Sequence, residues 1–103
     1  MNQAAFSIGQ IIHHRLFGYR GVVVDVDPDF QGTEEWYESM AHSRPPRDEP
    51  WYHVLVDGQP VQTYVAQRNL ELGDASAPIE HPHTEAYFSG FENGSYRARA
   101  QVN

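Results

Sequence analysis

The 103-residue chain is 40% hydrophobic and 13% aromatic, enough for one modest core and one small domain. Fourteen Asp and Glu stand against seven Arg and no Lys, a formal charge of −7 that disfavours a broad surface for phosphate backbone or anionic lipid. The absence of Cys excludes disulfides, thiolate metal sites and thiol nucleophiles, and fits a reducing cytoplasm.

No apolar run approaches the roughly 20 residues that cross a bilayer. The start, Met1 to Phe6, has neither the basic nor the apolar part of a signal peptide, so the expectation is a soluble, unexported protein.

Residues 9–14 and 21–27 are rich in β-branched side chains and read as two strands. Strict alternation would turn Val22, Val24 and Val26 to one face and Val23, Asp25 and Asp27 to the other. Between the strands, Gly18 and Gly21 flank Tyr19, which suits a tight connection needing positive φ or close backbone approach. Gly18, Tyr19 and Gly21 are therefore expected to determine the first turn.

Residues 28–50 are broken by Pro28, Gly32, Pro45, Pro46 and Pro50, and form an inserted loop. Within it, residues 33–41 predict a short helix capped by Thr33. Glu34 and Glu35 suit the positive end of its dipole, and Trp36 with Met40 makes an apolar i,i+4 stripe. Trp36 occupies the place of a capping-box Glu.

Residues 51–56 and 61–66 read as a second hairpin around Asp57-Gly58-Gln59-Pro60, with Trp51 and Tyr52 assigned to the core. A short strand is expected over 69–72. Four or five short strands in this span imply a mainly β fold, a small twisted barrel that shields its edges. Residues 73–78 read as a linker. In the tail, Tyr87, Phe88, Phe91 and Tyr96 are too apolar for a solvated segment, so it is expected to pack on the barrel or on another subunit.

The candidate chemistry is sparse. His13 and His14 point to opposite faces of a strand, and His81 and His83 flank Pro82 in a loop, so a metal site is not supported. No Ser stands in a nucleophile elbow, and no Gly-rich phosphate loop is present. Asp25 and Asp27 share a strand face, but two acids near a strand end serve more simply to blunt an edge. No enzyme activity and no cofactor are expected. From Val24 to Glu38 six acids occur with no base between them, a negative patch suited to a basic partner.

Three ordered blocks carry a resemblance: Phe17 to Pro28, Pro50 to Val56, and Thr63 to Ala66 with Asn69 and Leu70. They resemble the HspQ family, also described as YccV-like or hemimethylated DNA-binding, over about residues 8–72. The resemblance implies an SH3-like β-barrel carrying the acidic loop, over residues 6–72, with residues 73–103 as linker and tail. It also implies a cytoplasmic, non-enzymatic heat-shock protein.

Two activities come with the resemblance. One promotes degradation of denatured proteins, including the replication initiator DnaA, by the ATP-dependent protease Lon. The other binds hemimethylated DNA and influences expression of the replication initiator. The acidic, Lys-free composition favours the adaptor activity. On that reading Glu34, Glu35, Trp36 and Glu38 are the partner-binding loop, Phe88 and Phe91 are tail anchors, and the protein is a homo-oligomer. On the DNA reading, Arg15, Arg20 and Arg68 cluster locally and contact the duplex.

Overall fold

The computed structural model describes residues 3–99. Ile11–His14 (β1) pairs antiparallel with Arg20–Asp27 (β2), then come helix α1 (Glu34–Met40), Trp51–Val56 (β3), Gln62–Ala66 (β4), a 3-10 turn (Gln67–Asn69) and Leu70–Leu72 (β5). A second short helix, α2 (Thr84–Tyr87), leads into a hairpin of Phe88–Glu92 (β6) and Ser95–Ala98 (β7). The fold is mainly β, with antiparallel sheets.

The main sheet has the order β4-β3-β2-β1-β5. Among the described residues no ladder joins β4 to β5, so the sheet is not the closed barrel expected. The 3-10 turn directs the three-residue β5 onto β1 instead, pairing Leu70 with His14 and Leu72 with Ile12. Among the described residues no further strand pairs with the outer edge of β4 or β5.

The first turn has the two glycine requirements expected, one at each position. Gly18 adopts φ +76°, whereas a Cβ on Gly21 would lie 2.6 Å from the Leu55 carbonyl oxygen. Tyr19 donates or accepts a 2.7 Å hydrogen bond with the Thr63 hydroxyl, which ties this turn to β4.

Alternation along β2 does not hold throughout. The β2–β3 register shifts between Val23 and Asp25, so Val24 is a bulge residue. One extra residue reverses the facing of everything after it. Val22 and Val24 join Ile11 and Leu55 on one face, while Val26 packs with Val23 on the other, and Asp25 opposes His53.

The face bearing Ile12, Val23, Tyr52, Val54, Val65 and Leu70 forms one core cluster. The opposite face carries two. Ile11, Val22, Val24 and Leu55 are covered by Ile79 and Phe88, with Phe91 and Tyr96 packed against them, so the tail shares a core with the sheet. Tyr96 N–H donates to the Gly9 carbonyl at 2.9 Å, and the Tyr96 hydroxyl accepts from Ile79 N–H at 3.0 Å. Trp51 and Ala66 are covered by Tyr37 and Ala41 of the inserted segment.

Thr33 caps α1 as expected, accepting from Trp36 N–H at 3.0 Å. The buried stripe is Tyr37 with Ala41, not Trp36 with Met40. The Tyr37 hydroxyl donates to the Pro45 carbonyl at 2.6 Å, and Trp51 Nε1–H donates to that of Pro46 at 3.1 Å. These two bonds fold the proline segment back over the helix, which rotates Met40 out to 60% exposure.

Candidate functional site

A groove of about 650 Å³ runs along β4. Gln62 to Ala66 form its floor. One wall is the first turn, with His14, Leu16, Phe17 and Tyr19, and the other is Trp36, Met40 and the segment that follows α1. No Arg, Asp or Glu lines it. Leu16 and Phe17 on one wall and Met40 on the other are exposed at 60%, 74% and 60%, so both walls present apolar surface.

His14 shapes the first wall. It is buried, and its Nδ1 accepts from the backbone N–H of both Leu16 and Phe17 at 3.1 Å, which assigns the proton to Nε2. The Phe17 ring stacks on it at 4.6 Å. Burial, with a smaller contribution from the neighbouring His13, holds the imidazole below its ordinary pKa, so it stays neutral.

The floor presents backbone groups that no other strand pairs among the described residues. The bonds from Val56 N–H to the Val61 carbonyl and from Gln67 N–H to that of Pro50 fix the phase of the β3–β4 ladder. Residues 61, 63, 65 and 67 therefore turn their backbone groups toward β3, and Gln62 and Tyr64 turn theirs outward to the groove.

At the other end the groove adjoins a smaller pocket of about 330 Å³ that shares Trp36, His53 and Tyr64 and adds Asp27. Asp27 Oδ2 accepts from the Tyr64 hydroxyl at 2.6 Å and lies 3.1 Å from His53 Nε2. Burial, and then the bond to Asp27, raise the Tyr64 phenol pKa well above its ordinary value. Asp25, Asp27 and His53 each bring one ligand atom within 4.8 Å of the others, a donor set able to approach a cation. Sequence reading paired the two acids but not His53, whose place follows from the β2–β3 register.

The acidic loop is less negative than its sequence. Glu34 is held by both terminal nitrogens of Arg47, and Glu38 by Arg44 at 3.0 Å. The Arg47 guanidinium also lies 3.9 Å from the Tyr37 ring centroid. These bonds hold the Glu34 carboxyl below its ordinary range, with Arg47 the main cause. Glu35 is exposed without a cationic partner among the described residues. Trp36 faces the groove, and Phe91 packs against the tail core. Phe88 is 3% exposed and presents no surface.

Of the three arginines, Arg15 and Arg20 are engaged separately within the chain. The Arg20 guanidinium makes two 3.1 Å contacts with Asp57 Oδ2 and reaches the carbonyls of Asp74, Ala77 and Pro78 at 2.8, 2.6 and 2.8 Å. Four of its five N–H groups thus make hydrogen bonds, and all three nitrogens are engaged. Arg15 donates to the Leu70 carbonyl at 3.1 Å and lies 3.7 Å from Glu71. Arg68 lies on the 3-10 turn without an ion pair among the described residues.

The chain matches the family model described as "Hemimethylated DNA-binding protein YccV like" over residues 4–95. It belongs to the YccV-like family. The match includes the acidic loop, the groove and most of the tail, and so extends past the blocks that carried the resemblance in sequence. Leu16 and Phe17 are groove residues that sequence reading did not single out, and it weighed His14 only as a metal ligand and Met40 only as part of a helix stripe. Two large apolar residues directly before a turn glycine were the available signal.

Proposed function

We propose that this YccV-like chain is a cytoplasmic, non-enzymatic heat-shock adaptor that promotes degradation of denatured proteins, DnaA among them, by the ATP-dependent protease Lon. The proposal includes an SH3-like architecture whose sheet is left open between β4 and β5, and a homo-oligomeric state. The observation that carries it is the apolar groove beside β4, where exposed Leu16, Phe17 and Met40 adjoin backbone that no other strand pairs among the described residues. Such a surface suits an unfolded client, which offers apolar side chains and free backbone together. Trp36, which lines the groove, and the exposed Glu35 beside it in sequence are proposed to meet the protease or client. The test is the rate at which purified Lon degrades a denatured substrate with saturating ATP, with and without stoichiometric chain. Acceleration absent from a fold-disrupted control supports the reading, and no acceleration across several substrates rejects it.

The family description favours a second reading, a module that binds hemimethylated duplex. Against it stand the charge of −7 and the pairing of Arg15, Arg20, Arg44 and Arg47 with acids of the same chain. Fluorescence anisotropy with hemimethylated, fully methylated and unmethylated duplexes separates the readings. Equal affinities for the three reject methylation specificity.

A further inference from the structure

We propose that β4 accepts an extended polypeptide segment as an added strand, with apolar side chains against Phe17 and Met40 and a basic residue at the end nearest Asp27. This deepens the adaptor reading, resting on it only for the identity of the segment as an unfolded client.

The hydrogen-bonding pattern specifies the occupant. Gln62 and Tyr64 each present an N–H and a carbonyl outward, spaced two residues apart along the strand. Only another extended backbone matches that alternation of donor and acceptor. The five residues of β4 span about 17 Å, enough for a segment of similar length. A long unpaired edge usually carries a charged residue, Pro or a covering loop. Here the floor holds none of these, and apolar walls flank it instead.

Charge sets both polarity and partner. The groove itself is lined by neither acid nor Arg, but its far end adjoins the smaller pocket lined by Trp36, His53, Tyr64 and Asp27. Asp25 lies beside it, and neither acid is paired with an Arg, unlike Glu34 and Glu38. Asp27 is met by the Tyr64 hydroxyl and by His53 Nε2 but by no Arg, so the two adjacent carboxylates leave negative charge that favours a Lys or Arg side chain at this end. The same acids and the charge of −7 oppose a second copy pairing β4 to β4, and the lack of Arg and Lys in the lining opposes a phosphate backbone.

The test uses the full-length chain, isotope-labelled, and the synthetic peptide Arg-Val-Thr-Val-Thr-Val, with controls in which Glu replaces Arg or Pro replaces the central Val. The expected result is slowed amide exchange at Gln62 and Tyr64, by about tenfold or more, and weaker binding of both controls. Gln62→Pro removes an outward donor without breaking the β3–β4 ladder. It should weaken binding about three- to tenfold, as the loss of one hydrogen bond does, with an unchanged melting temperature. Phe17→Ser, at an exposed wall position, should weaken binding similarly and serves if the Pro variant does not fold.

No peptide binding, protection at β5 rather than β4, or a doubling of mass in place of peptide uptake would overturn the proposal. Unchanged acceleration of Lon by a folded Gln62→Pro or Phe17→Ser variant would overturn the groove as the client site and leave the adaptor reading intact. Peptide binding without any acceleration of Lon by the wild-type chain supports the groove and rejects the adaptor.

Discussion

The Arg20 guanidinium holds the Pro78 carbonyl at 2.8 Å across 58 positions of sequence, and with Asp74 and Ala77 fixes the strap that leads from the sheet to the tail. The side chain is mostly buried, and Asp57 balances its charge.

Arg20→Ala should therefore destabilise the fold by about 2–3 kcal/mol, because it leaves a carboxylate and three carbonyls without their donor. Arg20→Lys should recover less than half of that, since one ammonium cannot reproduce the planar fork. Urea denaturation of both variants measures the difference.

His14 makes stability fall on the acid side of neutrality. Its folded-state pKa lies below the ordinary 6.5, so the unfolded chain binds the extra proton first as the pH drops. The contribution is complete above about 6.5 and is lost as the pH falls through the folded-state value. Protonation also removes the acceptor for Leu16 and Phe17 N–H. His14→Asn keeps an acceptor and removes the titration, so thermal melts of the variant from pH 7.5 to 5 should show a shallower slope than the wild type. An equal slope would remove His14 from the account.

The tail contributes core, not merely contact surface. Phe88→Ala should cost about 3–5 kcal/mol by opening a cavity against Ile11, Val22 and Leu55. Deleting residues 79–103 removes Ile79 and Phe88 together and should lower the melting temperature strongly. Loss of partner binding after that deletion would then report unfolding. Tyr87, exposed at the tail surface, is the cleaner probe, and Tyr87→Ser should leave the melting temperature nearly unchanged.

The two turn glycines should respond differently to Ala. At Gly18 the side chain meets open space but the backbone is left-handed, at a cost of about 1–2 kcal/mol. At Gly21 a Cβ collides with the backbone oxygen of Leu55, which cannot move without disturbing the β2–β3 ladder. Gly21→Ala should be the more destabilising of the two in a denaturant titration.

Much of the local structure was legible from sequence because its causes lie within a few residues. Runs rich in β-branched and aromatic residues, punctuated by glycine and proline, placed β1 to β4, and Thr33 marked the start of α1. Trp51 and Tyr52 were read as core from the strand they begin, and both are buried. The bulge at Val24 was not legible: nothing in Gly21-Val22-Val23-Val24-Asp25 distinguishes an inserted residue from regular alternation. The side of the sheet reached by Asp25, Asp27 and Val26 was misjudged as a result.

By itself the sequence determined a small, acidic, mainly β domain and its family, since composition, strand propensity and turn chemistry are properties of short segments. Tertiary structure decided the rest. It neutralised Glu34 and Glu38 with Arg47 and Arg44, engaged Arg20 in the strap, buried Phe88 and left β4 open beside Leu16, Phe17 and Met40. Each of these outcomes depends on ladder register or on the path of a loop. Those are set by packing between residues far apart in the chain, and a linear pattern does not record it.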